Sequence, residues 1–442
     1  MQHGLLSIVA LGLMGPLLGA TLRASAAELQ GDLRLLGQVR RGDQTRETEA
    51  PHNLYGNLAL SGLRHGSSLD SLFRLERDFG IDDGASDFYA GSLRVPGAIP
   101  GVEMTLGRQF VSEGPSGVFV ADAGKVRIDP GWPVAFTLFG GAPRYFEPTY
   151  SSAILSQDET IWGGSIRAAR WQGTELSVGY FGLDRADHVL RQLITGALSR
   201  SFLQLPGLPT FYGSIAYDPD HQNLDLASAG VDILVPQPRL RFNFEGTYYK
   251  PQDHEHDRPL RDFNRREDAI FELFSTSELV QWRGGVTQAL STTVSAVADY
   301  SFQRYAQQEG DQFEISHIAS AGLLWLPGGD GLELVKLEYY VIDADGGSVN
   351  GGKAYYESRV YEQLVLRTKL DVTGYEKESH QSDVAISGFL GLGYVILPGL
   401  VWELNFEANH NDRFDEDFRF GFVIDYNFRQ RLPRVTGERR VS

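Results

Sequence analysis

Apolar and polar residues alternate along much of this chain, and the alternation is longest near the C-terminus. From Phe418 to Phe428 every second residue is bulky and apolar, and the residues between them are Arg419, Gly421, Val423, Asp425 and Asn427. Successive side chains of a β-strand point to opposite faces, so the segment predicts a strand with one apolar and one mostly polar face. Its length is close to the roughly 9–11 residues that a tilted strand needs to cross a bilayer. The segment therefore predicts a membrane-spanning strand.

The same period-2 pattern recurs along the whole chain. Leu240, Phe242 and Phe244 alternate with polar neighbours, as do Leu33 and Leu35. Tight turns rich in proline and glycine separate some of these runs, and longer polar connections separate others. We therefore predict an all-β fold, a transmembrane antiparallel β-barrel with an even strand number near 20 and a range of roughly 16–22, with short periplasmic turns and longer extracellular loops.

The last strand resembles the terminal assembly signal of bacterial outer-membrane proteins, and the match lies at Arg419, Gly421, Ile424 and Tyr426. That family usually ends at a terminal aromatic residue, whereas this chain continues past Phe428 with several arginines. The resemblance implies a porin-like outer-membrane barrel. It also implies the partners of such a barrel, namely the barrel-assembly machinery, outer-membrane lipid and lipopolysaccharide.

The N-terminus predicts export of the chain. Residues Gly4 to Leu22 are mostly apolar, and Ala24, Ser25 and Ala26 supply the small residues that precede a signal-peptidase cleavage site. An uncleaved anchor is the alternative, but Pro16 and several glycines make a poor permanent span. We predict a signal peptide at 1–26, a barrel at 27–428, a basic periplasmic tail at 429–442, and location in the bacterial outer membrane.

Composition excludes several kinds of chemistry. The absence of cysteine rules out disulfides, thiolate metal sites, covalent haem attachment and a cysteine nucleophile. A net charge of −17 argues against nucleic-acid binding and favours cations at the mouths of a pore. The histidines form no recognisable set of nucleophile, base and acid. We therefore predict no catalytic residue, no enzyme activity and no cofactor.

Three groups of residues are candidates for function. The polar faces of the predicted strands supply candidate pore-lining residues of both charge signs. A water-exposed wall without a defined site is the alternative, because it gives the same pattern. The candidate pore-lining residues are Arg34, Arg74, Glu76, Arg167, Arg239, Arg241, Glu245, Glu403, Arg419 and Asp425. The segment 107–130 is rich in small residues and predicts a constriction loop, with an ordinary pair of glycine-rich strands as the alternative; its charged candidates are Glu113, Asp122, Lys125 and Arg127. His254 and His256, flanked by carboxylates, have the ligand types of a divalent-metal site, but a solvated acidic loop is favoured and no metal site is predicted.

These features predict a porin-like channel for passive diffusion of small hydrophilic solutes or ions, and self-association is left open. One alternative is a barrel that sheaths a multihaem cytochrome and forms an electron conduit, in which the cytochrome partner would bring all of the haem. A second alternative is a barrel hydrolase, which would need a compact catalytic set at the rim.

Overall fold

The computed structural model describes residues 27–41, 48–79, 83–111, 119–146, 153–155, 159–171, 173–185, 188–250, 278–306, 313–328, 333–344, 347–377, 382–411 and 417–432. Within these ranges the chain forms strands and a single 3-10 turn at Arg64–Gly66. The strands are β1 Glu28–Arg41, β2 Thr48–Glu49, β3 Pro51–Ser61, β4 Ser68–Asp78, β5 Asp83–Ile99, β6 Val102–Val111, β7 Phe119–Ile128, β8 Val134–Phe146, β9 Ala153–Leu155, β10 Glu159–Trp171, β11 Thr174–Arg185, β12 His188–Ser201, β13 Thr210–Asp218, β14 Asn223–Val235, β15 Leu240–Tyr249, β16 Leu279–Ala289, β17 Val294–Ala306, β18 Phe313–Trp325, β19 Glu333–Ala344, β20 Gly347–Tyr361, β21 Leu364–Lys377, β22 Ser382–Leu397, β23 Leu400–His410 and β24 Asp417–Arg431. In the described part of the chain no helix is long and apolar enough to span a membrane.

The strands close into one antiparallel barrel. The short β2 pairs only with the end of β1, and the short β9 pairs only with the end of β8. The other 22 strands each pair with their neighbours in chain order, and β24 pairs with β1 to complete the ring. This architecture confirms the predicted all-β barrel with an even strand number near 20.

The closing pair of strands extends further than the sequence pattern predicted. β24 continues past Phe428 to Arg431, and Arg429, Gln430 and Arg431 pair with the first residues of β1. The alternation of apolar side chains ends at Phe428, but the backbone ladder does not depend on side-chain polarity. The first three residues of the predicted tail therefore belong to the barrel wall, and residues 433–442 lie outside the described residues.

Exposure separates the two faces of the wall. On β11, Leu176 and Val178 are exposed, whereas Phe181, which has the opposite parity, is buried. The outer surface of a single-layered barrel has no second layer against it, so the face with the exposed apolar side chains is the outer face. Directly opposite residues of paired strands lie on the same face, so the outer face of β11 identifies the outer face of every other strand in the ring. Exposed large apolar residues lie on this outer face in nearly every barrel strand.

Aromatic side chains on the outer face cover glycines of neighbouring strands. The Phe73 ring occupies the space beside Gly56 in which a Cβ atom would lie, and the Trp282 ring does the same beside Gly246. Both contacts join residues that are directly opposite on paired strands. Such aromatic–glycine pairs pin the register of adjacent strands.

The two ends of the barrel differ in their connections. Both described ends of the chain, Ala27 and Leu432, lie at one end, where turns such as 100–101 and 398–399 contain only two residues. Gly101 and Gly399 take positive φ angles of 75° and 87° in these turns, a conformation that glycine adopts without a Cβ clash. The opposite end holds the longest connections, 147–158 and 250–278, together with two connections of two residues, 186–187 and 345–346.

Candidate functional site

The lumen wall carries paired charges of both signs. Arg34 and Asp425 are directly opposite on β1 and β24, with Arg34 Nε 3.4 Å from Asp425 Oδ1. Arg74 pairs with Glu76 at 2.9 Å. On β24 the lumen face therefore carries the charged Asp425, whereas the outer face carries the exposed Phe420.

The other predicted pore-lining residues that lie in strands have partners as well. Arg167 pairs with Glu175, Arg241 with Asp232, Glu403 with Arg367, and Arg419 with Asp417, while Glu245 accepts a hydrogen bond from the Tyr212 hydroxyl at 3.3 Å. These contacts are spread around the ring and do not converge on one point. The Arg167–Glu175 pair is about half exposed, and an exposed ion pair contributes only about 0–1 kcal/mol to stability.

One predicted pore-lining residue has a different place. Arg239 lies in the turn between β14 and β15, is exposed and has a φ of 60°. The predicted strand began one residue too early, because alternation alone does not reveal where Pro238 and its neighbours turn the chain. Arg239 is therefore a residue of the short-turn rim, whereas Arg241 lies in the wall.

Arg367 on β21 is the centre of a network that the sequence did not indicate. Its guanidinium pairs with Glu403 on β23 and, through Nε, with Glu357 on β20 at 3.1 Å. The Tyr355 hydroxyl donates to Glu357 at 2.5 Å. Polar residues alternate with apolar ones here in the sequence, but the sequence does not show that β20, β21 and β23 bring Glu357, Arg367 and Glu403 together.

A pocket of about 290 Å³ opens on the lumen side of the barrel seam, where β22, β23, β24, β1 and β3 meet. Leu36, Val423 and Phe389 supply its apolar surface. Its polar lining includes Asn53, Asn405, Gln38, Glu407 and Arg419. The pocket thus combines an apolar surface with both signs of charge.

Hydrogen bonds fix the polar groups of this pocket. Glu407 accepts from Asn409 Nδ2 at 2.9 Å, and Arg419 Nε donates to Asp417 Oδ2 at 2.8 Å. The Asn53 side-chain oxygen is buried and has no hydrogen-bond partner among the described residues. A buried acceptor without a partner is unfavourable, and Asn53 is one of the residues that line the pocket.

The predicted constriction loop is a pair of wall strands in its described part. β6 and β7 pair from Val102–Ile128 to Val111–Phe119, which is the glycine-rich strand pair left as the alternative. Lys125 and Arg127 have lumen parity, but Asp122 has the parity of the outer face. Glu113 lies outside the described residues, as do His254 and His256.

The extracellular part of one sector of the lumen wall is shielded from solvent. Val111, Ala121, Phe139, Ile161, Phe181 and Leu193 form a buried apolar cluster on the lumen side of β6 to β12. Glu159 and Asp225 are buried beside it and pair with Arg185 and Arg191. Toward the periplasmic end of the same strands the lumen wall is accessible, since the Arg167 and Glu175 side chains are about half exposed. Among the described residues no group of histidine and carboxylate side chains is arranged to hold a metal ion.

Solved structures of porins resemble this fold at a distance. The outer membrane protein OpdK of Pseudomonas aeruginosa is 10% identical with a TM-score of 0.46, over 91% of this chain and 99% of that chain. OccK2 (OpdF) of the same organism is 12% identical with a TM-score of 0.46, over 91% and 98%. A BenF-like porin of Pseudomonas fluorescens Pf-5 is 9% identical with a TM-score of 0.47, over 91% and 99%.

No protein-family model matches the chain, and no curated protein matches it either. Because the TM-scores of these three porins lie below 0.5, the function proposed below rests on the residues of this barrel alone.

Proposed function

We propose that this protein is an outer-membrane channel through which small hydrophilic solutes or ions diffuse down their gradients. The observation that carries the proposal is the division of one closed wall into an exposed apolar outer face and a charged lumen face. An apolar outer face is stable in the hydrocarbon of a membrane, and closure of the barrel leaves no unpaired strand edge there. A charged lumen is stable in water, so the interior suits hydrophilic solutes.

The orientation of the barrel follows from its ends. Barrels of this type place short turns in the periplasm and longer loops outside the cell. The end that holds Ala27, Leu432 and the two-residue turns is accordingly periplasmic, and the end with connections 147–158 and 250–278 is extracellular. Cleavage of residues 1–26 as a signal peptide completes this proposal.

The pocket at the seam is the point at which a solute meets specific groups. Phe389 and Val423 offer an apolar surface, while Glu407, Arg419 and Asn53 offer charge and hydrogen bonds beside it. A small solute with an apolar body and a polar or zwitterionic end matches both parts. Binding here is expected to be weak, because a channel must release its solute.

Single-channel recording of the purified full chain in a planar bilayer tests the proposal. Stable conductance steps are expected, with a reversal potential in a salt gradient that depends on ionic strength. Persistent electrical silence of correctly folded protein would contradict a channel. Silence together with a co-purifying haem protein would favour the cytochrome sheath.

Variants test the pocket separately. Phe389→Ala and Glu407→Gln should change the residence time of a small zwitterionic solute in the channel, measured as blockade of the current. Glu245→Gln removes the same charge from a lumen residue on a different part of the ring and is the matched control. Equal effects of the two Glu→Gln variants would mean that the pocket makes no specific contact.

A further inference from the structure

Three charged residues form a cluster on the outer face of the barrel. Arg108 on β6 and Asp122 on β7 are directly opposite, and Arg144 on β8 reaches the same carboxylate. Leu106 and Phe110 have the parity of Arg108 and are exposed apolar residues, and Leu138 has the parity of Arg144. The lumen-facing neighbours Val111 and Ala121 are buried. The cluster therefore faces outward, toward lipid.

The cluster carries more positive than negative charge. Arg108 Nε donates to Asp122 Oδ1 at 2.8 Å, and Arg144 Nε donates to Asp122 Oδ2 at 2.7 Å. Two guanidinium groups thus share one carboxylate, which leaves a net charge of +1. The Arg108 and Arg144 side chains are only 17% and 12% exposed, so water screens this charge weakly.

The two arginines differ in their remaining donors. Pairing of β5 with β6 ends at Gly91–Arg108, although both strands continue beyond it. Arg108 Nη1 donates to the Phe88 carbonyl at 2.7 Å, and its guanidinium lies 5.6 Å from the Phe88 ring centre. Arg108 therefore links β6 to β5 beyond the last paired residues of these two strands. Among the described residues Arg144 donates only to Asp122, through Nε and Nη2.

The cluster lies at the extracellular edge of the apolar belt. Arg108 is six residues from Val102, the periplasmic start of β6, and Arg144 is ten residues from Val134, the periplasmic start of β8. β6 ends three residues beyond Arg108, β7 begins three residues before Asp122, and β8 ends two residues beyond Arg144, so the cluster lies near the extracellular ends of all three strands.

We infer that Arg108 and Arg144 bind the phosphate group of a phosphorylated glycolipid in the outer leaflet, with Arg144 as the principal donor. The inference rests on the proposed outer-membrane location. Guanidinium groups match phosphate oxygens with paired, charge-assisted hydrogen bonds. A net positive charge that faces lipid and is shielded from water is stabilised by an anion at the same depth, and the lipid head groups supply phosphate there. Asp122 holds the two guanidinium groups side by side while neutralising only one.

Binding of purified lipid A to the folded full-length protein in detergent, followed by native mass spectrometry, tests the inference. The probes are bis-phosphorylated lipid A and the same lipid after enzymatic removal of its phosphates. Arg144→Gln should weaken binding of the phosphorylated lipid at least about tenfold, as expected for loss of a charge-assisted hydrogen bond. Its effect on the phosphate-free lipid should be small.

Arg200→Gln is the matched control. Arg200 has the outer-face parity of β12 but lies at the periplasmic end, with its guanidinium 4.6 Å from the Phe202 ring centre. Its replacement should leave lipid A binding unchanged. Asp122→Asn should tighten binding of the phosphorylated lipid, because both guanidinium groups are then free for phosphate. Heat-modifiable gel mobility verifies that each variant is folded.

Two results would overturn the inference. One is equal binding of phosphorylated and phosphate-free lipid A by the unaltered protein, and the other is equal loss of binding in Arg144→Gln and Arg200→Gln. If Asp122→Asn fails to fold, the two arginine variants still decide the question. Conductance is measured in parallel. A conducting barrel without phosphate preference contradicts only this inference, and a silent barrel with phosphate preference contradicts only the channel.

Discussion

Arginine placed at adjacent positions on β18 should affect stability very differently. Ala319 and Ser320 are both small and lie at the centre of this 13-residue strand. Ala319 is exposed on the outer face between Tyr300 and Val341, whereas Ser320 lies on the lumen face between Asp299 and Tyr340. Because the two positions differ mainly in the medium they face, Ala319→Arg should be far more harmful than Ser320→Arg.

The magnitude follows from the cost of a charge in hydrocarbon. Arginine on the lipid face near the bilayer midplane costs about 2–4 kcal/mol. This corresponds to a decrease of about 30- to 700-fold in the folding equilibrium constant. At Ser320 the new guanidinium is hydrated and lies beside Asp299, and such an exposed pair changes stability by about 0–1 kcal/mol. We therefore expect a difference of at least about 1–2 kcal/mol between the two variants.

Reversible urea unfolding in lipid vesicles measures this difference. Tryptophan fluorescence reports unfolding, and heat-modifiable gel mobility reports the fraction of folded barrel independently. Equal free energies of unfolding for Ala319→Arg and Ser320→Arg would refute the assignment of the two faces. A larger loss for Ser320→Arg would mean that the lumen face of β18 is packed rather than wet.

Three further variants test packing and the lumen field. Gly56→Val should lower the free energy of unfolding by about 1–3 kcal/mol, because the new side chain collides with the Phe73 ring; an unchanged urea midpoint would contradict this packing. Arg367→Gln leaves two carboxylates without their shared cation, so the reversal potential should shift toward cations at low salt, and no shift would place this network outside the conducting path. Arg241→Glu should shift the reversal potential in the same direction more than Arg239→Glu, because Arg241 lies in the wall and Arg239 in a turn; equal shifts would contradict this distinction.

The sequence alone determined the strands and their two faces. A strand's period of two is a local property, so each run such as 240–244 shows which side chains share a face without knowledge of its neighbours. The length of the final strand and its end signal also predicted a membrane barrel. Local turn chemistry gave the approximate position of the connections.

Strand boundaries were less well determined. β24 extends to Arg431 beyond the end of the apolar alternation, and Arg239 lies in a turn rather than in a strand. Backbone pairing continues where both strands present free N–H and C=O groups, whatever their side chains. Polarity patterns therefore locate the membrane-facing part of a strand better than its ends.

Only the tertiary structure decided which polar residues act together. The pocket joins Asn53 near one end of the chain to Phe389 and Arg419 near the other, because barrel closure places β3 beside β1 and β1 beside β24. The tertiary structure also buries an apolar cluster on the lumen face of β6 to β12 and places Asp122 among arginines on the outer face. Alternation specifies a face but not the register between strands, and register with closure determines which side chains meet.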